Sequence, residues 1–297
     1  MTLPSISLVI PSYNSAETIE RAVRSVLSQR YPRLELFLID GGSKDETMRR
    51  VQPYVASFRK IISESDRGQA HALNKGFALA RGDIFGWVCS DDELAPGALT
   101  FVAELFKQHP EANLLTGGCR RVFPDGTSVQ TRPGSRVLEQ VSYRNGFEQP
   151  STFWRSELHH AAGEIPEDFR YAFDHAWWNE LKVAGARLIT TDHVLSHYHF
   201  SDSNKTSTGG RALATEMYRV TKQYGPLGGR LADVYMFLYR HFDLKGYYDY
   251  PLPRLSLRRL YFSTARRWLS CVIGSELVAS YSWNFASKQE RNLCWYK

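Results

Sequence analysis

The chain has 297 residues, of which 43% are hydrophobic and 23% charged, as is typical of a soluble globular protein with one large or two modest domains. Its net charge of +6 is uneven, because residues 211–297 hold 14 Lys and Arg against 6 Asp and Glu. No apolar run approaches the ~20 residues that span a bilayer, and we expect no secretory signal. The four cysteines form no CxxC pair, which argues against a zinc site and predicts a reduced, cytoplasmic protein.

Strands and helices alternate four times in the first 110 residues. Short apolar runs predict the strands, and apolar residues at helical spacing predict the helices between them. The predicted strands cover residues 5–10, 34–39, 60–63 and 84–89. The predicted helices cover residues 16–28, 69–80 and 96–107, and another helix, which follows the second strand, is predicted to bury Met48, Val51 and Val55. This alternation is typical of an α/β fold with a mostly parallel central sheet flanked by helices.

The pattern changes after residue 113. We expect a hairpin over residues 114–129, a helix over 174–184, and two strands over 187–191 and 194–198. Beyond about residue 209 the chain is aromatic and basic, and residues 254–269 are predicted to form an amphipathic helix. The sequence therefore predicts a domain of residues 1–208 and a helical C-terminal extension of residues 209–297.

Three predicted strands are followed by turns that carry aspartates, namely Asp40, Asp66 and the pair Asp91–Asp92. Ligands bind outside the carboxyl ends of the strands in open α/β sheets. Two adjacent carboxylates repel each other unless a cation lies beside them, so Asp91 and Asp92 suggest a divalent metal and its anionic ligand. The alternative is that Asp91 caps the next helix while Asp92 is solvated. Cys89, just before the pair, is predicted to be a buried thiol.

Several nucleotide-binding classes lack their signatures here. No GxGxxG follows the first strand and no GxxxxGK[ST] occurs, which argues against a nicotinamide dehydrogenase and a P-loop NTPase. The turn Pro11-Ser12-Tyr13-Asn14 is not the glycine- and arginine-rich loop of a sugar-phosphate nucleotidyltransferase. Carboxylates and a cation would therefore have to hold the anionic ligand, and Mg²⁺ or Mn²⁺ suits such hard oxygen ligands.

Five segments carry a resemblance to family 2 glycosyltransferases over about residues 5–205. They are residues 7–14, 39–47, 64–76, 90–92 and 171–174, in the family's order. The resemblance implies the GT-A fold, which binds nucleotide sugars. It also implies an inverting transferase that moves a sugar from a nucleotide-diphosphate sugar, most often of UDP, to a hydroxyl of a glycan or lipid-linked acceptor. The alternative is a catalytically silent sugar-nucleotide-binding or scaffolding protein of this fold.

The resemblance also implies roles for single residues. Asp92 would bind Mn²⁺ or Mg²⁺, with His199 as a further ligand, so that the metal neutralises the leaving diphosphate. Asp174 would be the general base that takes the proton from the acceptor hydroxyl. The nucleotide sugar would contact Pro11, Tyr13, Asn14, Asp40, Asp66, Lys75 and Asp91.

Structural explanations compete for several of these residues. Asp40 and Asp66 are typical turn residues that bond to their own backbone. Asp174 is a typical helix N-cap. Lys75 is equally explained as a solvated helix residue, and His199 as a structural one.

The chain departs from the family pattern at two positions. Gly41 stands where the family often has a second acid, so a carboxylate that contacts the base is missing there. Ala176 stands where many relatives have another acid two positions beyond the base, which leaves Asp174 as the single candidate.

The basic, aromatic extension has two explanations. Clustered Arg beside Trp, Tyr and Phe is typical of contact with an anionic membrane surface, here the inner face of the membrane. The alternative is a helical subdomain that packs on the catalytic domain. Nucleic-acid binding is not expected, because the extension contains no recognition motif.

Overall fold

The computed structural model describes residues 3–201, 204–225, 229–230, 232–233, 267–268 and 271. The chain divides into two compact units, Met1–Leu138 with Gly146–Ser201, and Glu139–Asn145 with Asp202–Lys297. Apart from residues 267–268, the predicted helix over 254–269 and its membrane contact lie outside the described residues. None of the described helices combines the length and the apolar composition that a membrane span requires.

One mixed sheet runs through the first unit, in the order β3-β2-β1-β4-β8-β6-β9-β5, with β7 beside β6. Strands β3, β2, β1 and β4 are parallel neighbours, whereas β8 pairs antiparallel with both β4 and β6. Strands β6 and β9 are parallel, and β5 pairs antiparallel with β9. The strands are β1 (Ile6–Ser12), β2 (Leu34–Asp40), β3 (Lys60–Ser63), β4 (Ile84–Trp87), β5 (Glu93–Leu94), β6 (Leu114–Val122), β7 (Ser128–Thr131), β8 (Thr152–Arg155) and β9 (Leu188–His199).

Helices connect these strands. The α-helices are α1 (Ile19–Leu27), α2 (Thr47–Val51), α3 (Gln69–Leu79), α4 (Ala98–Gln108), α5 (Val137–Gln140), α6 (Ser156–Ala162), α7 (Phe173–Val183), α8 (Lys205–Thr208) and α9 (Gly210–Tyr224). Short 3₁₀ helices cover Gln52–Ser57 and Gln149–Ser151. Helices α8 and α9 belong to the second unit.

The central strand β1 explains why the first 110 residues fold as predicted. All seven of its residues are buried, as expected for a strand covered by helices on both faces. Leu8 and Ile10 face the main core with apolar residues of α1 and α4. Val9 points to the other face, where a Cβ on Gly76 of α3 would lie 2.6 Å from its Cγ1. Helix α3 therefore packs closely on β1, and the predicted sheet with helices on both faces is confirmed.

Three local expectations differ from the structure. The two strands predicted after residue 187 are one strand, β9, whose register against β6 shifts around Gly118. Val55 is 44% exposed rather than buried, because the α-helix ends at Val51 and a 3₁₀ helix with a different repeat follows. Cys89 is only half-buried, because β4 ends at Trp87 and leaves the thiol in the following turn.

Candidate active site

The parallel strands bring the predicted aspartate turns to one edge of the sheet. Strands β1, β2 and β3 end in register at Ser12, Asp40 and Ser63, and β4 ends beside β1 at Trp87. Because parallel strands share a direction, the turns that follow all leave at this edge. The residues around Asn14, Asp40, Asp66 and Asp91 therefore lie in neighbouring turns at one edge of the sheet.

The Asp91–Asp92 pair forms the turn after β4. The Asp92 side chain is buried, with 1% of its surface exposed, so the solvated alternative for this residue is wrong. The N-cap of α4 is Gly97, without a side-chain cap, so Asp91 does not cap that helix. Burial, and then the charge of Asp91, raise the pKa of Asp92 well above its usual range.

Three side chains in this turn have the donors for a metal ion. Among the described residues, ligand atoms of Cys89, Asp91 and Asp92 lie within 4.8 Å of one another. Two carboxylates are suitable ligands for Mg²⁺ or Mn²⁺, and a buried carboxylate gains most from a nearby positive charge. The residues therefore fit a divalent cation.

The thiol of Cys89 is held by two glutamine side chains. Gln69 at the start of α3 donates from Nε2 to Sγ at 3.1 Å, and Sγ donates to Oε1 of Gln149 at 3.1 Å. The amide of Gln149 in turn donates to the backbone oxygen of Trp87 at 2.9 Å. These contacts tie α3, the end of β4 and the Gln149 turn together beside the carboxylates.

His199, at the end of β9, lies beside the same turn. Its Nε2 is 2.6 Å from Oε1 of Glu93, and its backbone N–H points to Oδ1 of Asp92 at 3.4 Å. Arg21 of α1 completes this network, since its Nε lies 3.1 Å from Glu93 and its Nη2 donates to the backbone oxygen of Asp91 at 2.9 Å. Burial, followed by the charge of Arg21, lowers the pKa of His199. The role of His199 as a metal ligand stays a prediction.

Asp40 organises the turn after β2. Its buried carboxylate accepts hydrogen bonds from the backbone N–H of Gly42 at 3.2 Å and of Ser43 at 3.0 Å. It also accepts from the hydroxyls of Ser43 and of Ser63, the latter at 2.7 Å from the end of β3. Asp40 therefore binds its own backbone, as the alternative prediction states, and joins the ends of β2 and β3.

The turn after β1 is hydrogen-bonded to the turn that contains Asp40. Asn14 has a left-handed backbone with φ of 48°, which asparagine tolerates better than most residues. Its backbone N–H donates to the Ser43 hydroxyl at 2.7 Å, and its Oδ1 accepts from the backbone of Lys44 at 2.9 Å. Pro11 is buried in β1, whereas the ring of Tyr13 is 63% exposed. The tyrosine is thus a large exposed side chain at the edge of the site.

Asp66 lies directly against Gly41. A Cβ on Gly41 would be 2.7 Å from Oδ2 of Asp66, and Oδ1 of Asp66 accepts from the backbone of Gly68 at 2.8 Å. The absence of a side chain at position 41 therefore makes room for the Asp66 carboxylate. Lys75 of α3 is not simply solvated, because its Nζ lies 2.7 Å from Oε1 of Glu64 in the preceding turn.

Asp174 is the second residue of α7, and the N-cap of that helix is Ala172. The N-cap alternative for Asp174 is therefore wrong, although its Oδ1 accepts from the adjacent backbone N–H of His175 at 2.7 Å. Stacked aromatic rings place α7 against β4, since Trp178 lies parallel to Trp87 with ring centroids 5.3 Å apart. The structure thus brings the start of α7 to the end of the strand that precedes Asp91 and Asp92.

Sequence reasoning missed the contacts that support this site. Arg21 and Glu93 lie outside the segments singled out from the sequence, whereas Gln69 lies in the segment 64–76 and Gln149 opens a loop considered for the acceptor. The bonds of Arg21 to Asp91 and of both glutamines to Cys89 join residues that are distant in sequence. Glu93 directly follows the aspartate pair, and this adjacency is the one signal that could have identified it.

Comparisons with known proteins identify the family of this chain. The model of Glycosyl transferase family 2 matches residues 7–164, which is more than half of the chain. Glycosyltransferase AglE of Haloferax volcanii is 26% identical over 208 residues, covering 65% of this chain and 66% of that protein. A Poly-beta-1,6-N-acetyl-D-glucosamine synthase of Staphylococcus epidermidis is 32% identical over 117 residues, covering 39% of this chain and 28% of that protein. The chain therefore matches only part of the length of these relatives.

Solved structures share the fold. TarS 1-349 of S. aureus in complex with UDP-GlcNAc has a TM-score of 0.62 at 17% identity, over 99% of this chain and 93% of that one. The mannosyltransferase PcManGT of Pyrobaculum calidifontis in complex with GDP-Man and Mn²⁺ has a TM-score of 0.59 at 16% identity, over 96% and 88%. These neighbours have the GT-A fold, and the family match extends over more than half of the sequence. The chain belongs to glycosyl transferase family 2 and has the GT-A fold.

Proposed function

We propose that this glycosyltransferase moves a sugar from a UDP-sugar to a hydroxyl of a glycan acceptor, with inversion and with Mn²⁺ or Mg²⁺. The observation that carries the proposal is the buried carboxylate of Asp92, close to Asp91 at the end of β4. The raised pKa means that burial disfavours the ionised form of this carboxylate, and a nearby cation would offset that cost. When bound to Asp92, a divalent cation would neutralise the diphosphate as it leaves the sugar.

Asp91, Pro11, Tyr13, Asn14 and Asp66 supply the nucleotide side of the proposed site. The exposed ring of Tyr13 offers a surface for the nucleoside, and Asn14 fixes the turn that carries this ring. Asp66 supplies the carboxylate that is missing at position 41, because it lies in the space beside that glycine.

Asp40 and Lys75 act on the nucleotide through the turns they hold. The oxygens of Asp40 accept four hydrogen bonds from its own turn and from the neighbouring turn. We therefore assign Asp40 the role of fixing the backbone that forms the nucleoside pocket. Lys75 holds the turn after β3 through Glu64. The TarS structure in complex with UDP and the PcManGT structure in complex with GDP-Man and Mn²⁺ support a ligand that contains a nucleoside diphosphate.

Asp174 is the proposed general base. It lies on the first turn of α7, which the stacked Trp87 and Trp178 hold beside the end of β4. A carboxylate there would accept the proton of the acceptor hydroxyl as that oxygen attacks the anomeric carbon. Because a single displacement of this kind comes from the face opposite the leaving group, the product is inverted.

The acceptor is proposed to be a glycan, and a lipid-linked glycan is the alternative. The named relatives include Chondroitin synthase of Escherichia coli and Poly-beta-1,6-N-acetyl-D-glucosamine synthase, which supports a carbohydrate acceptor. Contact of the basic extension with an anionic membrane surface stays a prediction.

Thermal unfolding with UDP and GDP, each with Mn²⁺ or with EDTA, tests the proposal. A ligand at a hundredfold excess over its Kd stabilises the native state by about 2.7 kcal/mol. We expect UDP with Mn²⁺ to raise the Tm by several degrees, and EDTA to remove most of this rise. An unchanged Tm with both nucleotides in the presence of Mn²⁺ would contradict the proposed donor. Stabilisation without any sugar transfer would instead favour the catalytically silent alternative.

A further inference from the structure

The segment that leads into Asp174 is bonded to the donor side of the site. Residues 163–172 contain no helix or strand, so their conformation depends on contacts with the rest of the unit. Asn74 of α3 supplies two of these contacts. Its Nδ2 donates to the backbone oxygen of Ile165 at 2.9 Å, and its Oδ1 accepts from the backbone N–H of Ile165 at 2.9 Å. A side-chain amide can donate from its nitrogen and accept at its oxygen at the same time, which suits this pair of bonds.

Glu167 adds a second link, to the turn that carries Asp66. Its Oε2 accepts from Arg67 Nε at 3.0 Å and from Nη2 at 2.6 Å, and its Oε1 accepts from Asn74 Nδ2 at 3.1 Å. Partial burial raises the pKa of Glu167, but the hydrogen bonds from Asn74 and Arg67 outweigh it and lower the pKa overall. Glu167 is therefore ionised at neutral pH, and Arg67 is its charged partner.

Taken together, five hydrogen bonds join two stretches that are 91 to 100 residues apart in sequence. Ile165 and Phe169 are buried, with 1% and 3% exposure, so the segment is packed as well as bonded. A displacement of the Asp66–Gly68 turn would therefore be transmitted to the segment that precedes α7.

We propose that Arg67, Glu167 and Asn74 couple nucleotide binding at the Asp66 turn to the position of Asp174. They are positioning residues, since none of them is assigned a contact with the reacting atoms. This inference rests on the proposed function, because it assumes that the nucleotide binds beside Asp66 and that Asp174 is the base. Coupling between two sites of one protein typically amounts to a factor of 5 to 150.

Hydrogen–deuterium exchange of the full chain, with and without UDP and Mn²⁺, tests the coupling. In the wild type we expect UDP to slow exchange at least about fivefold in residues 66–79 and in residues 164–175. In Glu167→Gln, protection of residues 66–79 should remain, whereas protection of residues 164–175 should fall to less than half. Equal protection of residues 164–175 in the variant and the wild type would overturn the inference.

A matched control separates coupling from general loss of stability. Glu20 of α1 also accepts from an arginine and from a second donor, Arg24 at 2.6 Å and Tyr54 at 2.9 Å, with comparable exposure. Glu20→Gln should lower the Tm as much as Glu167→Gln does and yet keep both protected regions. Loss of protection at residues 164–175 in this control as well would overturn the inference.

A swapped pair provides a second test. Asn74→Asp places a carboxylate beside Glu167 and removes the donor to Ile165, so it should abolish the protection of residues 164–175. Adding Glu167→Gln removes the repulsion between the two carboxylates, so we expect protection of residues 164–175 to return to the level of Glu167→Gln alone but not above it. Protection at the wild-type level in the double variant contradicts the coupling. If UDP protects no part of the wild type, the proposed UDP site and this inference fall together, whereas protection confined to residues 66–79 overturns the inference alone.

Discussion

The parallel and the mixed halves of the sheet hold their parts of the site in different ways. In the parallel half, strands β3, β2, β1 and β4 end at one edge, and Asp40 and Asn14 are fixed by hydrogen bonds to neighbouring turns. In the mixed half, no strand carries the proposed base. Asp174 stands on α7, which is positioned by ring stacking, and the loop before α7 is bonded to Asn74 of α3. The proposed donor side is therefore held by hydrogen bonds between neighbouring turns, and the proposed base side by ring packing and by hydrogen bonds to residues distant in sequence.

The largest expected effect comes from a substitution that removes the proposed base and leaves the proposed donor side intact. Asp174→Asn keeps the shape of the side chain but cannot accept a proton, so sugar transfer should fall about 10²- to 10⁴-fold. The measurement is the rate of UDP release from the nucleotide sugar in the presence of an acceptor glycan. Transfer at more than a tenth of the wild-type rate would show that the base is another residue.

The next largest effect comes from a substitution that removes hydrogen bonds holding the turns of the proposed donor side. Asp40→Ala removes the acceptor of four hydrogen bonds, two of them from backbone N–H groups, and should cost about 3 kcal/mol of unfolding free energy. Urea unfolding measures this loss. Asp40→Asn retains one acceptor oxygen and should cost less. A loss below about 1 kcal/mol for the alanine variant would mean that water replaces these bonds.

The parallel half was predictable because its information is local. Each strand from β1 to β4 is an apolar run followed at once by a polar turn, so the sequence order places Asp40 and Asp91 at one edge. The mixed half depends on pairings that no local pattern encodes, such as β8 beside β4 and β9 beside β6. The links from Asn74 to Ile165 and from Arg67 to Glu167 are equally remote. Asn74 and Arg67 lie in the segment 64–76, but no pattern in the sequence identifies Ile165 and Glu167 as their partners.

The packing of the mixed half should appear in the pH dependence of stability. His159 lies among aromatic rings of Phe77, Phe85 and Trp177, and burial lowers its pKa to about 4. In the unfolded chain the histidine has a pKa of about 6.5, so it is protonated at a higher pH than in the folded protein. The free energy of unfolding therefore decreases as the pH falls from about 6.5 to about 4. We expect about 2 kcal/mol between pH 7 and pH 5.

Urea unfolding of His159→Phe at these two pH values isolates the contribution of this histidine. The variant should lose about 2 kcal/mol less than the wild type when the pH is lowered, because it has no proton to bind at this position. Equal losses in the two proteins would mean that His159 does not remain neutral in the folded state.

The smallest effect tests packing in the parallel half. A Cβ on Gly76 would lie 2.6 Å from Val9 Cγ1, so Gly76→Ala should force α3 away from β1 and destabilise the fold by about 1–2 kcal/mol despite a better helix propensity. Gly134→Ala, where a Cβ meets nothing within 4 Å, is the matched control. Gly76→Ala as stable as this control would contradict the close packing of α3 on β1.

The division of work between the two halves is tested most directly by the affinity for UDP, measured by calorimetry with Mn²⁺ in the wild type, Asp92→Asn and Asp174→Asn. If Asp92 serves the cation and Asp174 serves the acceptor, Asp92→Asn should lose about tenfold or more in affinity, together with most of its dependence on Mn²⁺. Asp174→Asn should bind UDP within about twofold of the wild type. Equal weakening in both variants, or full Mn²⁺-dependent affinity in Asp92→Asn, would contradict this account.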